Sequence, residues 1–148
     1  MRSMISRARI LGALLALAAC GGDDNGFSPT RETVSGGYTA SVFTLTSPTG
    51  AGDSTTLDLL TLGASVDVTL DPNGTTAGRL FVPGAAEDGG DVDVDLAGTW
   101  SLSGNVVTFD QPGDTFIRDV DFIAGPGTLT AEEESDDGVI RIVLLKAQ

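Results

Sequence analysis

Carboxylates dominate the titratable side chains of this sequence: it has 21 Asp and Glu residues, no histidine and one cysteine, Cys20. Zinc sites built on several His or Cys ligands and Ser-His-Asp triads are therefore out of reach. A hydrolase would have to work with a carboxylate pair, one acid protonated in a desolvated setting beside one that stays ionised. Asp91, Asp93 and Asp95 recur at every second position, and EEESDDG runs from Glu132 to Gly138. Neither pattern gives a sign of one acid being desolvated, and an acid without a cleft is only surface charge. Calcium takes oxygens from loops that wrap the ion, whereas alternate residues of an extended strand lie about 7 Å apart. These acids are read as a solvated stripe and the tip of an acidic hairpin. No metal, cofactor or enzymatic activity is expected.

Arg118 stands apart. In TFIRDVDF, Thr115 to Phe122, the even positions are Phe116, Arg118, Val120 and Phe122, and regular alternation aims the guanidinium inward with them. An interior guanidinium needs partners, because an unpaired buried charge is very costly. Two roles are open to it. It receives the carboxylate of a fatty-acid-like ligand, or it stacks on Trp100 or pairs with an internal carboxylate to close one end of the fold. Trp100, Arg118, Phe116 and Phe122 are the residues expected at a cavity or barrel-closing position.

Turn residues outline the scaffold that must hold these side chains. DPNG (Asp71 to Gly74) suits a type I turn, and SGN (Ser103 to Asn105), QPGD (Gln111 to Asp114), GPG (Gly125 to Gly127) and SDDG (Ser135 to Gly138) follow at short intervals. The clearest strand is DVDVDLAGTWSL, Asp91 to Leu102, with apolar residues or glycine at even positions and polar or small ones at odd positions. Gly98 is expected to let it bend beside Trp100. Further strands are expected near Val34 to Thr46, Ser65 to Leu70, Thr76 to Val82, Asn105 to Asp110, Thr115 to Phe122, Thr128 to Glu134 and Val139 to Leu145. STTLDLLTLG, Ser54 to Gly63, is read as a short helix capped by Ser54 and ended by Gly63. The result is an all-β domain, an eight-stranded antiparallel up-and-down barrel with one short helix between the first two strands. A two-sheet β-sandwich is the alternative.

The N-terminus has a different character. Arg2, Arg7 and Arg9 precede an apolar run from Ile10 to Ala19, the order of an export signal. That run is about half the roughly 20 residues a membrane-spanning helix needs. Leu17-Ala18-Ala19-Cys20 resembles the lipobox of bacterial lipoproteins. The resemblance implies cleavage before Cys20 and a diacylglyceryl thioether, with an acyl chain such as palmitate on the new amine, so the lone thiol is spent on an anchor. Residues 1–19 are thus expected to be a lipoprotein signal peptide, 20–31 a flexible tether from the lipidated cysteine and 32–148 the β-barrel domain. Gly21, where aspartate would imply inner-membrane retention, favours the outer membrane, with the domain in the periplasm. Removing the leader leaves five basic residues against 21 acidic ones, a formal charge of −16. Nucleic acid is excluded as a partner, since it needs a basic face.

The order of strand, short helix and meander around GTWSLSGNVVTF, Gly98 to Phe109, is similar to small lipocalin-like barrels on exported bacterial lipoproteins. In lipocalins proper the Gly-x-Trp element lies on the first strand and an Arg packs on the Trp. Here Gly98-Thr99-Trp100 falls near the fourth strand, so the resemblance is architectural and its ligand residues do not transfer. The function expected is non-enzymatic binding or carriage of a small apolar ligand by a membrane-anchored barrel. The alternative is a structural or protein-interaction module with a packed core and a protein partner that the sequence does not identify.

Overall fold

The computed structural model describes residues 26–148, so the lipobox and Cys20 lie outside the described residues. β1 (Gly36–Gly50) sets the architecture. Tyr38 and Ala40 pack inward at its start, and Phe43 and Leu45 do so further on. The inward set changes from even to odd positions because pairing with the C-terminal strand slips by one residue between Ala40 and Val42. With a side-chain period of two, one extra residue at a bulge is what keeps the apolar set facing the interior.

The other strands are β2 (Asp53–Asp58), β3 (Ser65–Leu70), β4 (Thr75–Val82), β5 (Val92–Asp95), β6 (Gly98–Ser103), β7 (Val106–Asp110), β8 (Phe122–Gly125), β9 (Thr128–Ser135) and β10 (Gly138–Lys146). Around the wall the order is β1-β3-β4-β6-β7-β8-β9-β10, antiparallel throughout, and β10 pairs back onto β1. This closes an eight-stranded barrel and excludes the two-sheet sandwich. β2 and β5 are additions to the wall. β2 lies along β1 beyond the point where β3 leaves it, and β5 lies along β4 beyond the point where β6 leaves it.

The register gives the barrel two distinct ends. The start of β1, the end of β10 and the turns after β3, β6 and β8 gather at a closed end. The connections after β2, β4, β7 and β9 lie at the opposite, open end.

The alternation read from Asp91 to Leu102 holds. Leu96 and Trp100 are buried, and the odd positions from Asp91 to Ser101 are exposed. The stretch keeps one register along β4 but loses regular pairing at Leu96 and Ala97, giving β5 and β6. Gly98 serves close approach rather than a bend: a Cβ there would sit 2.3 Å from the Asp110 carbonyl oxygen.

Two expected elements are corrected. Ser54 caps no helix: it lies in β2, and only Leu60–Leu62 form a single 3₁₀ turn, ended by Gly63 at φ 97°. That turn does fall between the first two strands of the closed wall, β1 and β3. Thr115 to Phe122 is not one strand, because Phe116–Asp119 form a helical turn and β8 starts only at Phe122.

Ordered contacts begin within the stretch read as tether. Thr30 caps α1 (Arg31–Val34): its hydroxyl accepts from the Thr33 amide while the Thr33 hydroxyl accepts from the Thr30 amide. Such a cap is worth about 1 kcal/mol. α1 plugs the closed end, burying Val34 against the core, and the Tyr38 hydroxyl donates to the Val34 carbonyl at 2.7 Å. The Arg31 guanidinium lies 4.9 Å from the centre of the Trp100 ring, whose Nε1–H donates to the Asp71 carbonyl. Lys146 Nζ donates to the Thr33 carbonyl.

Candidate functional site

Between its ends the barrel is filled. Val66, Val68, Leu70, Val107, Phe122, Leu129, Ile142 and Leu144 are essentially inaccessible to solvent, with Trp100 and Phe109 packed among them. Phe122 meets Phe109 edge-on with ring centres 5.3 Å apart. Such aromatic pairs add about 0.5–1.5 kcal/mol beyond their area, so this part of the interior is core and holds no ligand space.

The open end differs because the wall is incomplete there. β6 follows β4 only at its first residues, and β7 ends at Asp110, opposite Thr99. The free edge of β5 is left facing the 111–121 connection. That connection carries α2 (Phe116–Asp119) and crosses the gap. A cup of about 310 Å³ results, lined by Phe43 and Leu45 of β1, Leu59, Leu80 and Val82 of β4, Ala85, Val92 of β5, Ile140 of β10, and Asp114, Thr115 and Phe116 of the connection. Nine of these eleven residues are apolar, so the cup favours apolar surface. Its volume is at the lower bound of small-molecule sites, roughly 300–1,000 Å³.

The connection is held in place by its own polar groups. The Gln111 amide donates to the Leu96 carbonyl at 2.8 Å, which also accepts from the Thr76 hydroxyl. Arg118 binds the Asp114 carboxylate at 2.6 Å and both oxygens of Asp119 at 2.8 and 3.0 Å, with a longer contact to the Gly113 carbonyl. The Asp119 hydrogen bonds, followed by those to Asp114, outweigh desolvation and raise the guanidinium pKa, while Arg118 holds the Asp119 carboxyl below its ordinary value. Gln111 Oε1 and Thr115 Oγ1 are buried without a hydrogen-bond partner.

The expected site residues separate on this frame. Phe116 lines the cup and stacks on Phe43, Trp100 is packed at the closed end beneath Arg31, and Phe122 belongs to the packed interior. Arg118 does not reach Trp100: its partners are Asp114 and Asp119 of its own segment, so it works as a staple within the connection that crosses the open end. Its helical turn is the reason, since a residue following Thr115, Phe116 and Ile117 around a turn is not on the face that strand alternation assigns. Ile117 carried the missed signal. It is fully buried at a position that alternation turns outward, and with Val120 it makes the i, i+3 spacing of a helix. The arginine over Trp100 is Arg31, at the end of the stretch expected to be tether.

The acidic stripe remains on the surface. Arg79 pairs with Asp93 across the outer wall and lowers its carboxyl pKa through their hydrogen bonds. Among the described residues no three potential metal ligands gather at one point. No helix among them is long and apolar enough to cross a membrane. Comparison with family models, curated proteins and solved structures gives no match.

Proposed function

We propose that this chain is a lipid-anchored envelope lipoprotein whose barrel binds a small apolar ligand in the cup at its open end, without catalysing a reaction on it. The cup carries the proposal. It is the part of the interior that the core side chains leave open, and its lining is apolar except for Asp114 and Thr115. The anchor is Cys20, through the Leu17-Ala18-Ala19-Cys20 segment, and the location is the periplasmic side of the outer membrane. Because α1 enters at the closed end, the tether would leave the barrel on the side away from the cup. A ligand would then exchange with the surrounding medium rather than directly with the anchoring bilayer.

Two measurements test this reading. Native mass spectrometry of residues 21–148, with titration by an uncharged hydrophobic dye, should show one saturable site per chain, and Phe116→Ala should weaken it. Absence of saturable binding would reject the ligand role. The full chain produced in a Gram-negative host should fractionate with membranes and carry acyl mass on its first mature residue. Cys20→Ser should abolish both, and a Cys20→Ser chain that still carried acyl groups would reject the anchor.

A second reading is favoured by the β1–β2 hairpin, where β2 is exposed along its whole length and Leu57 is 44% accessible. Such an edge is a surface for a protein partner. Cross-linking through this hairpin in intact envelopes, together with an empty cup in the titration, would support an interaction module instead.

A further inference from the structure

Resting on the apolar-cup reading, we infer that the occupant is a cationic amphiphile: its hydrocarbon part fills the cup and its ammonium head group lies among the acids of the open rim. Charge distribution carries the inference. The connections at the open end, residues 51–52, 59–64, 83–91, 111–121 and 136–137, hold eight acids and one base, Arg118. Asp114 belongs to the cup lining itself.

No described cation is free to receive an anionic head group there. Arg118 is engaged by Asp114 and Asp119. Arg79 is paired with Asp93. Arg141 lies on the exposed face of β10, in register with Glu132 of β9. Arg31 and Lys146 are at the closed end, against Trp100 and the Thr33 carbonyl. A carboxylate with its tail in the cup would therefore meet like charge and lose water without gaining a partner. An ammonium would instead gain the Asp114 carboxylate at the cup, inside the net negative charge of the open-end connections. Asp114 suits this task because its side chain is 91% accessible and its contact with Arg118 uses Oδ1.

The test uses residues 21–148, which include every residue of the described structure, and three probes of equal chain length: decylamine, decanol and decanoate. Each is titrated at pH 7 and low salt by calorimetry, below its aggregation concentration. Decylamine should bind one per chain roughly three- to tenfold more tightly than decanol, with decanoate weakest. Asp114→Asn should reduce the decylamine advantage and leave decanol unchanged, and added salt should act in the same direction. Equal affinity for decylamine and decanol, or tighter binding of decanoate, would overturn the cationic assignment while the cup remained a ligand site. Failure of all three probes to saturate would overturn the cup reading and this inference with it.

Discussion

Phe116 lies over Phe43 with ring centres 5.5 Å apart and planes at 28°, so the connection that crosses the open end is packed onto the first strand of the wall. The contact gives the cup a defined side. Phe116 is only partly buried, so Phe116→Ala should cost less than a full core truncation, about 1–2 kcal/mol. Chemical denaturation measures the cost. Hydrogen exchange should show the change concentrated in residues 113–120, because the stacked pair joins that segment to β1. A uniform loss of protection around the barrel would show that the segment does not open by itself.

The closed barrel was legible because period-two patterning and turn residues are both local. Asp91 to Ser101 alternates in sequence and in burial, and Ser65–Leu70 buries every second side chain as its Val and Leu positions require. The open end was much less legible. β1 changes its inward parity at a bulge, which no pattern in TASVFTL announces, and Thr115 to Phe122 satisfies strand alternation except at Ile117 and Arg118. A single helical turn is decided by what it packs against, and the gap that α2 covers exists only because β6 and β7 end where they do. The arginine at Trp100 was hidden for a similar reason. Arg31 sits in a polar stretch with no apolar period, and only the Thr30-x-x-Thr33 cap places it on the barrel.

Tyr38 offers a clean probe of the closed end, being the only tyrosine in the chain. Burial pushes its phenol above the ordinary value of 10.0, and its hydroxyl donates to the Val34 carbonyl. The folded state therefore holds the proton more tightly than the unfolded chain. The resulting stability is present below the unfolded pKa and is lost as pH rises through the folded one. Absorbance titration should show one tyrosinate transition displaced upward, returning toward 10 in denaturant. Tyr38→Phe should destabilise the barrel by about 1 kcal/mol at pH 7 and flatten the fall in stability above pH 10.

Gly98 tests whether the β6–β7 approach needs a missing side chain. A Cβ there would meet the Asp110 carbonyl oxygen at 2.3 Å and Gln111 Cγ at 2.9 Å. The first is backbone and cannot rotate away, so Gly98→Ala should force β6 from β7 and cost about 2–3 kcal/mol. Gln111 anchors the connection through Leu96, so the same variant should also weaken apolar probe binding in the cup. Thr99→Ala, whose side chain is exposed one residue away, should leave stability within about 0.5 kcal/mol of the parent. Unfolding curves of the two variants compare these outcomes directly.

The Arg118 staple should be visible in the acid dependence of stability. Hydrogen bonds from Arg118 lower the Asp119 carboxyl below its ordinary value of 3.8, so the folded state releases that proton more readily than the unfolded chain. The stabilisation is complete above the unfolded pKa and disappears as pH falls through the folded one. Arg118→Met should therefore unfold at lower denaturant concentration than the parent at pH 7. The difference should stay level down to about pH 5 and narrow below pH 4, where protonation removes the partner charge from the parent as well. An interior arginine holding a ligand carboxylate would give another pattern, with decanoate affinity falling in Arg118→Met. Here that affinity should not fall, because the guanidinium is committed to Asp114 and Asp119.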